Sequence, residues 1–144
     1  MLRKGNQKGF TLLEVLVSVV ILSIGLLGAA AMQTTAILGN ASAMNRSRAI
    51  GLAEEMADRI RVNAGDTPNI YDGINTSGAC GGSEPALGDC TQWQARLSTS
   101  GLSNVFGQVT VTMDSPISET ATITVIVTWG IGATGSVTFT TIME

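Results

Sequence analysis

Few residues here are able to carry chemistry, and what is missing decides as much as what is present. The 144 residues contain no histidine, which removes the commonest general base and the commonest zinc ligand together. Serine, threonine and aspartate are available, yet nothing assembles them into a nucleophile–base pair, and no glycine-rich phosphate loop follows a predicted strand. The acids Asp66, Asp72, Asp89, Asp114 and Glu119 lack the spacing of a calcium loop and read as solvated loop residues. No catalytic residue, metal site or cofactor is expected, and the chain reads as a non-enzyme. Cys80 and Cys90 are the two cysteines, with nine residues between them. That spacing fits neither a redox CxxC motif nor, without histidine, a zinc site. One acid is conspicuous by position. Glu14 stands at the lip of a long apolar run, where a carboxylate in lipid costs up to about 3 kcal/mol.

The segments that must place these residues are set first by charge. Eight basic and eleven acidic residues give a net charge of −3, but Arg3, Lys4 and Lys8 all precede residue 10 with no acid among them. Without the first nine residues, five basic and eleven acidic residues remain, a net charge of −6. Nucleic acid is not an expected partner, because phosphate contacts need clustered Lys and Arg. From Val15 to Asn45 there is no charge, and Val15–Met32 is almost wholly apolar. At helical rise that stretch spans roughly 27 Å, close to the bilayer's hydrocarbon thickness of about 30 Å. The basic flank predicts a cytoplasmic N-terminus, with everything beyond residue 40 across the membrane. An ordinary secretory signal cut near Ala29-Ala30-Ala31 fits less well, since its apolar region is short and does not open with an acid. Thr11-x-x-Glu14 also has the form of a helix capping box, which leaves the Lys8-Gly9 pair before it unexplained. Across the membrane the compartment is oxidising, so Cys80 and Cys90 read as a structural disulfide. Closing that loop contributes about 2.5–3 kcal/mol on a chain-entropy argument; a reactive thiol is the alternative.

Lys8-Gly9-Phe10-Thr11-Leu12-Leu13-Glu14-Val15-Leu16 resembles the prepilin processing motif shared by type IV pilins and type II secretion pseudopilins. The resemblance implies cleavage between Gly9 and Phe10, N-methylation of Phe10, and retention of Glu14 for assembly. It also implies the partners: a prepilin peptidase/methyltransferase, the inner membrane, and other pilin subunits, major and minor. The physical logic is charge pairing. Cleavage makes a positive amine on Phe10 among apolar helices, and the Glu14 carboxylate of an arriving subunit can pair with it, each charge being costly when buried alone. The chain departs from many major pilins in having no proline between residues 10 and 63. Gly25 and Gly28 read either as weak points of the helix, at about 1 kcal/mol each relative to Ala, or, Gly25 with Ala29, as a small-residue packing face.

Past the membrane, residues 40–63 place Ala49, Leu52, Ala53, Met56 and Ile60 at helical i, i+3, i+4 spacing. Arg48, Glu55, Asp58 and Arg59 fall on other faces. Residues 52–63 (LAEEMADRIRVN) resemble the region after the anchor in PilV-type minor pilins. Residues 64–91 are rich in Gly, Asp, Ser and Pro and read as loop. Thr91 then reads as an N-cap for a helix over Gln92–Ser98, stopped by Gly101. Strands are expected at Gln108–Met113, Thr122–Trp129 and Ser136–Thr140, from their alternation of apolar residues with threonine and from the glycine-rich turn at Gly130–Gly135. The fold expected is α+β, a long N-terminal transmembrane-plus-periplasmic helix packed on a small antiparallel sheet of three or four strands, as in pilins. Its parts are a leader (1–9), a membrane and assembly helix (10–39), an amphipathic extramembrane half (40–63) and a β-rich headgroup (64–144). The resemblances imply a minor type IV pilin, PilV-like, that is anchored in the inner membrane with its head in the periplasm and then displayed on the pilus. It would take part in starting the pilus and so in twitching motility. A minor pseudopilin of a type II secretion system is the alternative.

Overall fold

The computed structural model describes residues 9–144; the leader residues Arg3, Lys4 and Lys8 lie outside them. Helix α1 runs Leu12–Asn63, and the chain divides into two compact units, one ending at Ala41 and one beginning at Ser42.

In the first unit α1 has no buried residue. Among the described residues it is the one helix long and apolar enough to cross a membrane. Four hydroxyls interrupt its apolar surface, and each is satisfied by the helix itself. Ser18 and Ser23 donate to the carbonyls of Glu14 and Val19, both at 2.7 Å, and Thr34 and Thr35 donate to those of Ala30 and Ala31 at 3.1 and 3.2 Å. A hydroxyl bonded to the i−4 carbonyl presents its methylene or methyl group outward, so the run stays compatible with hydrocarbon despite its polar residues.

The second unit contains the C-terminal part of α1, a 3₁₀ turn at Pro68–Tyr71, helix α2 (Ala86–Thr99), and strands β1 (Phe106–Met113), β2 (Ala121–Trp129) and β3 (Gly135–Met143). The strands form an antiparallel meander in the order β1-β2-β3. The register sets Val109 opposite Val125 and Val125 opposite Phe139, with Val111 opposite Ile123 one step along. Strand alternation puts Val109, Val111, Ile123, Val125, Val127 and Val137 on one face, and all six are buried; the threonines other than Thr141 take the other. Ala49, Leu52, Ala53, Met56, Ala57 and Ile60 of α1 join the same core. The α+β fold with three antiparallel strands is the expected one.

Trp93 of α2 links the layers. Its indole N–H donates to the Leu52 carbonyl of α1 at 2.9 Å, using that oxygen's second lone pair. The far edge of its ring lies against β1 at Gly107, where an added Cβ would sit 2.0 Å from Trp93 Cη2. Only glycine admits so close an approach.

Helix α2 begins earlier than the sequence suggests, and Thr91 is not its cap. Thr91 lies inside the helix, its hydroxyl donating to the Leu87 carbonyl at 2.8 Å. The first turn is instead held by the Glu84 carboxylate, which accepts from Gly88 N–H at 3.1 Å, and by the Ser83 and Pro85 carbonyls, which accept from Leu87 and Asp89. Gly88 and Asp89 favour loops by propensity, and tertiary burial of their turn overrides it. At the other end Gly101 adopts φ +78°, the left-handed conformation that ends a helix.

Candidate processing and assembly site

At the N-terminal end the structure places Gly9, Phe10 and Thr11 ahead of α1 as non-helical, exposed residues. Thr11 starts the helix. Its hydroxyl accepts from Glu14 N–H at 3.3 Å, and its carbonyl accepts from the amides of Glu14 and Val15 at 3.0 and 3.3 Å. The Glu14 carboxylate falls in the first turn, where the helix dipole favours an anion. It is exposed, and no cation lies within 4 Å of it among the described residues. Phe10 is 83% exposed. Phe10, just ahead of α1, and Glu14, in its first turn, line a shallow groove of about 380 Å³ with Val15, Ser18, Val19 and Leu22. An acid and an aromatic residue thus stand together on an apolar rod, both exposed among the described residues. Gly25 and Gly28 are likewise open, with no atom within 4 Å of an added Cβ, so packing within the chain does not require glycine there.

The sequence matches two known families in succession. Residues 4–30 match the prokaryotic N-terminal methylation motif, and residues 31–102, half of the chain, match the family described as type IV pilin Tt1218. The chain belongs to the type IV pilin family. No curated protein and no solved structure matches it. As a pilin it is a structural subunit of a pilus or pseudopilus. Its motif implies processing by a prepilin peptidase and assembly with other pilins, and its apolar helix is suited to anchoring in the inner membrane.

The pilin's head holds a second polar centre that the sequence did not announce. Cys80 and Cys90 are joined in a disulfide, with Cα atoms 5.8 Å apart, which ties the loop ahead of α2 to the helix's first turns. Beside it Asp89 is only 5% exposed, so the expectation that it is a solvated loop acid is wrong. The first turn of α2 turns its carboxylate inward, and three side chains from two segments, α1 and the 3₁₀ turn, meet it. Tyr71 O–H donates at 2.6 Å, the Asn63 side-chain amide at 2.8 Å, and Arg59 Nη1 lies at 3.4 Å. Arg59 also reaches Gln92 at 2.8 Å and Glu55 at 3.0 Å, and Arg96 of α2 meets the other oxygen of Glu55 at 3.3 Å. A buried carboxylate is tolerable only with such partners. Tyr71 is fully buried. Burial first, and then its hydrogen bond to Asp89, hold its phenol well above the ordinary range. Two further acids hold a sheet edge and a turn. Asp72 accepts from Val111 N–H at 2.9 Å and Asp114 from Glu119 N–H at 3.1 Å.

The sequence carried one faint sign of this centre. Arg59 and Asn63 are one turn apart beside the buried stripe, where two polar residues at the margin of a core need a common partner. Among the described residues no group of three His, Cys, Asp or Glu side chains is placed to hold a metal.

Proposed function

We propose that this pilin is a minor, PilV-like subunit that helps to start a type IV pilus. In this reading residues 1–9 are a leader removed between Gly9 and Phe10, and the new amine of Phe10 is methylated. Residues 10–39 anchor and assemble the subunit, residues 40–63 continue the helix into the head, and residues 64–144 complete the headgroup. The head faces the periplasm and later the cell surface, as the basic residues Arg3, Lys4 and Lys8 before the apolar run favour.

One observation carries the assembly role, the shared groove of Phe10 and Glu14 on the apolar part of α1 that has no buried residue. Lipid covers the helix before assembly, but lipid offers no partner for a carboxylate. A neighbouring subunit's Phe10 amine does. The pair sets register and direction, while the apolar faces supply most of the attraction. The minor rank rests on the likeness of residues 52–63 to PilV-type pilins.

Deleting the gene tests the reading. Surface pili and twitching should fall while secretion of folded exoproteins continues. Re-expression should restore piliation without this subunit becoming a major band of the filament. Exoenzymes trapped in the periplasm with pili intact would instead make it a minor pseudopilin of a type II secretion system.

A further inference from the structure

The two edges of the head's sheet end differently. Along β1 the outward backbone groups are engaged by the segment at residues 72–76. Gly107 N–H donates to the Thr76 hydroxyl at 2.8 Å, and its carbonyl accepts from Thr76 N–H at 2.9 Å. Val109 N–H donates to the Ile74 carbonyl at 2.9 Å, its own carbonyl accepts from Gly73 N–H at 3.1 Å, and Val111 N–H is taken by Asp72.

Among the described residues the β3 edge has no such cover. In an antiparallel ladder, successive residues direct their backbone groups to opposite neighbours. Gly107, Val109 and Val111 point away from β2, so their partners Val127, Val125 and Ile123 point toward β3 and bond Val137, Phe139 and Thr141. Ser136, Thr138, Thr140 and Ile142 are left with their N–H and C=O groups outward. All four are exposed, and none of those groups has a backbone partner among the described residues. Natural sheets blunt a free edge with charge, proline or a bulge. β3 has no charge and no proline, and its register runs unbroken from Gly135 to Met143.

We propose that this edge takes up an extended strand from the head of a neighbouring, non-identical pilin subunit, continuing the sheet across the subunit boundary. The inference rests on the minor-subunit reading above. Backbone hydrogen bonds supply affinity in such an addition, and side chains at alternate positions supply selectivity. Charge selects the partner. From Ser42 to Glu144 the head carries five arginines against ten acids, a net charge of −5, so two copies set edge to edge repel one another. The edge itself is uncharged, and a strand from a neutral or basic head meets no such penalty.

The test uses the full-length chain in cells lacking their own copy. Thr138→Pro/Thr140→Pro removes two outward N–H donors and leaves the donors that bond β2, since proline is tolerated where an edge N–H faces solvent. Thr138→Lys/Thr140→Lys keeps every N–H and charges the edge, so it decides the matter should the prolines unfold the head. Both variants should reach the membrane, and recovery in sheared filaments should fall about tenfold. Thr138→Val/Thr140→Val, which alters side chains alone, should assemble as the wild type does. Wild-type recovery of a folded lysine variant overturns the proposal. A Thr138→Cys variant recovered from filaments as a disulfide-linked homodimer overturns the non-identical partner. Absence of the wild-type chain from filaments overturns the minor-pilin reading and this proposal with it; wild-type presence with an unimpaired lysine variant overturns this proposal alone.

Discussion

Tyr71 reports on the head from inside it, because it is the sole tyrosine of the chain. A free phenol ionises near pH 10, whereas burial and Asp89 hold this one protonated well beyond that. The folded value is raised above the unfolded one. The stability it confers is therefore complete below about pH 10 and is lost as the pH rises toward the folded value. Tyrosinate absorbance should stay flat through pH 10 and rise only together with loss of near-ultraviolet dichroism. A reversible native titration centred near pH 10 would show that Tyr71 is not enclosed as described. Glu14 offers the opposite case, an acid with no ion-pair partner among the described residues. Glu14→Ala makes the anchor more apolar, so membrane insertion should be unimpaired. The pairing proposed for the Phe10 amine would be lost, and the variant should be depleted from sheared filaments. Undiminished recovery there would mean that the charge pair is dispensable. At this scale the sequence was a partial guide. Glu14 was legible because an acid contrasts with an apolar run, whatever the fold. Asp89 was not, because its burial exists only once Arg59, Asn63 and Tyr71 converge from other segments.

Among the elements, α2 and β1 depend on one another at a single point. A methyl group on residue 107 would lie 2.0 Å from the Trp93 ring, and Trp93 is fully buried and tied to Leu52. The indole cannot retreat without giving up that hydrogen bond. Gly107→Ala should therefore destabilise the head by about 1–3 kcal/mol, as overpacking of a filled core does. A thermal melt of the detergent-solubilised protein should show a midpoint several degrees lower. An unchanged midpoint would mean that the ring moves freely. Elements built on a long period were the readable ones. The α1 stripe from Ala49 to Ile60 and the threonine-alternating strands declare which face is buried by repetition alone. The start of α2 depends on one side chain, Glu84, reaching Gly88 from ahead of a proline, and no period reveals that. The segment guarding β1 is likewise irregular in sequence, so the difference between the two sheet edges emerges only from the register.

For the whole molecule, the sequence alone set an apolar part apart from the rest, since from Val15 to Asn45 there is no charge. Intact mass of the membrane-extracted protein should show a chain lacking its first nine residues and one methyl group heavier. A start at Met1, or one after Ala31, would end the processing reading. The mature pilin must then serve in two surroundings, first lipid and later a sheath of sister helices. Ser18, Ser23, Thr34 and Thr35 bear on that passage, because their hydroxyls are already bonded to α1's own carbonyls. They ask nothing of either environment, and no donor has to be exchanged as one gives way to the other. Along α1, then, the traffic between bilayer and fibre is almost free of polar rearrangement. In the reading proposed above, the pairing of Glu14 with a Phe10 amine is the charged contact that would distinguish arrival from departure.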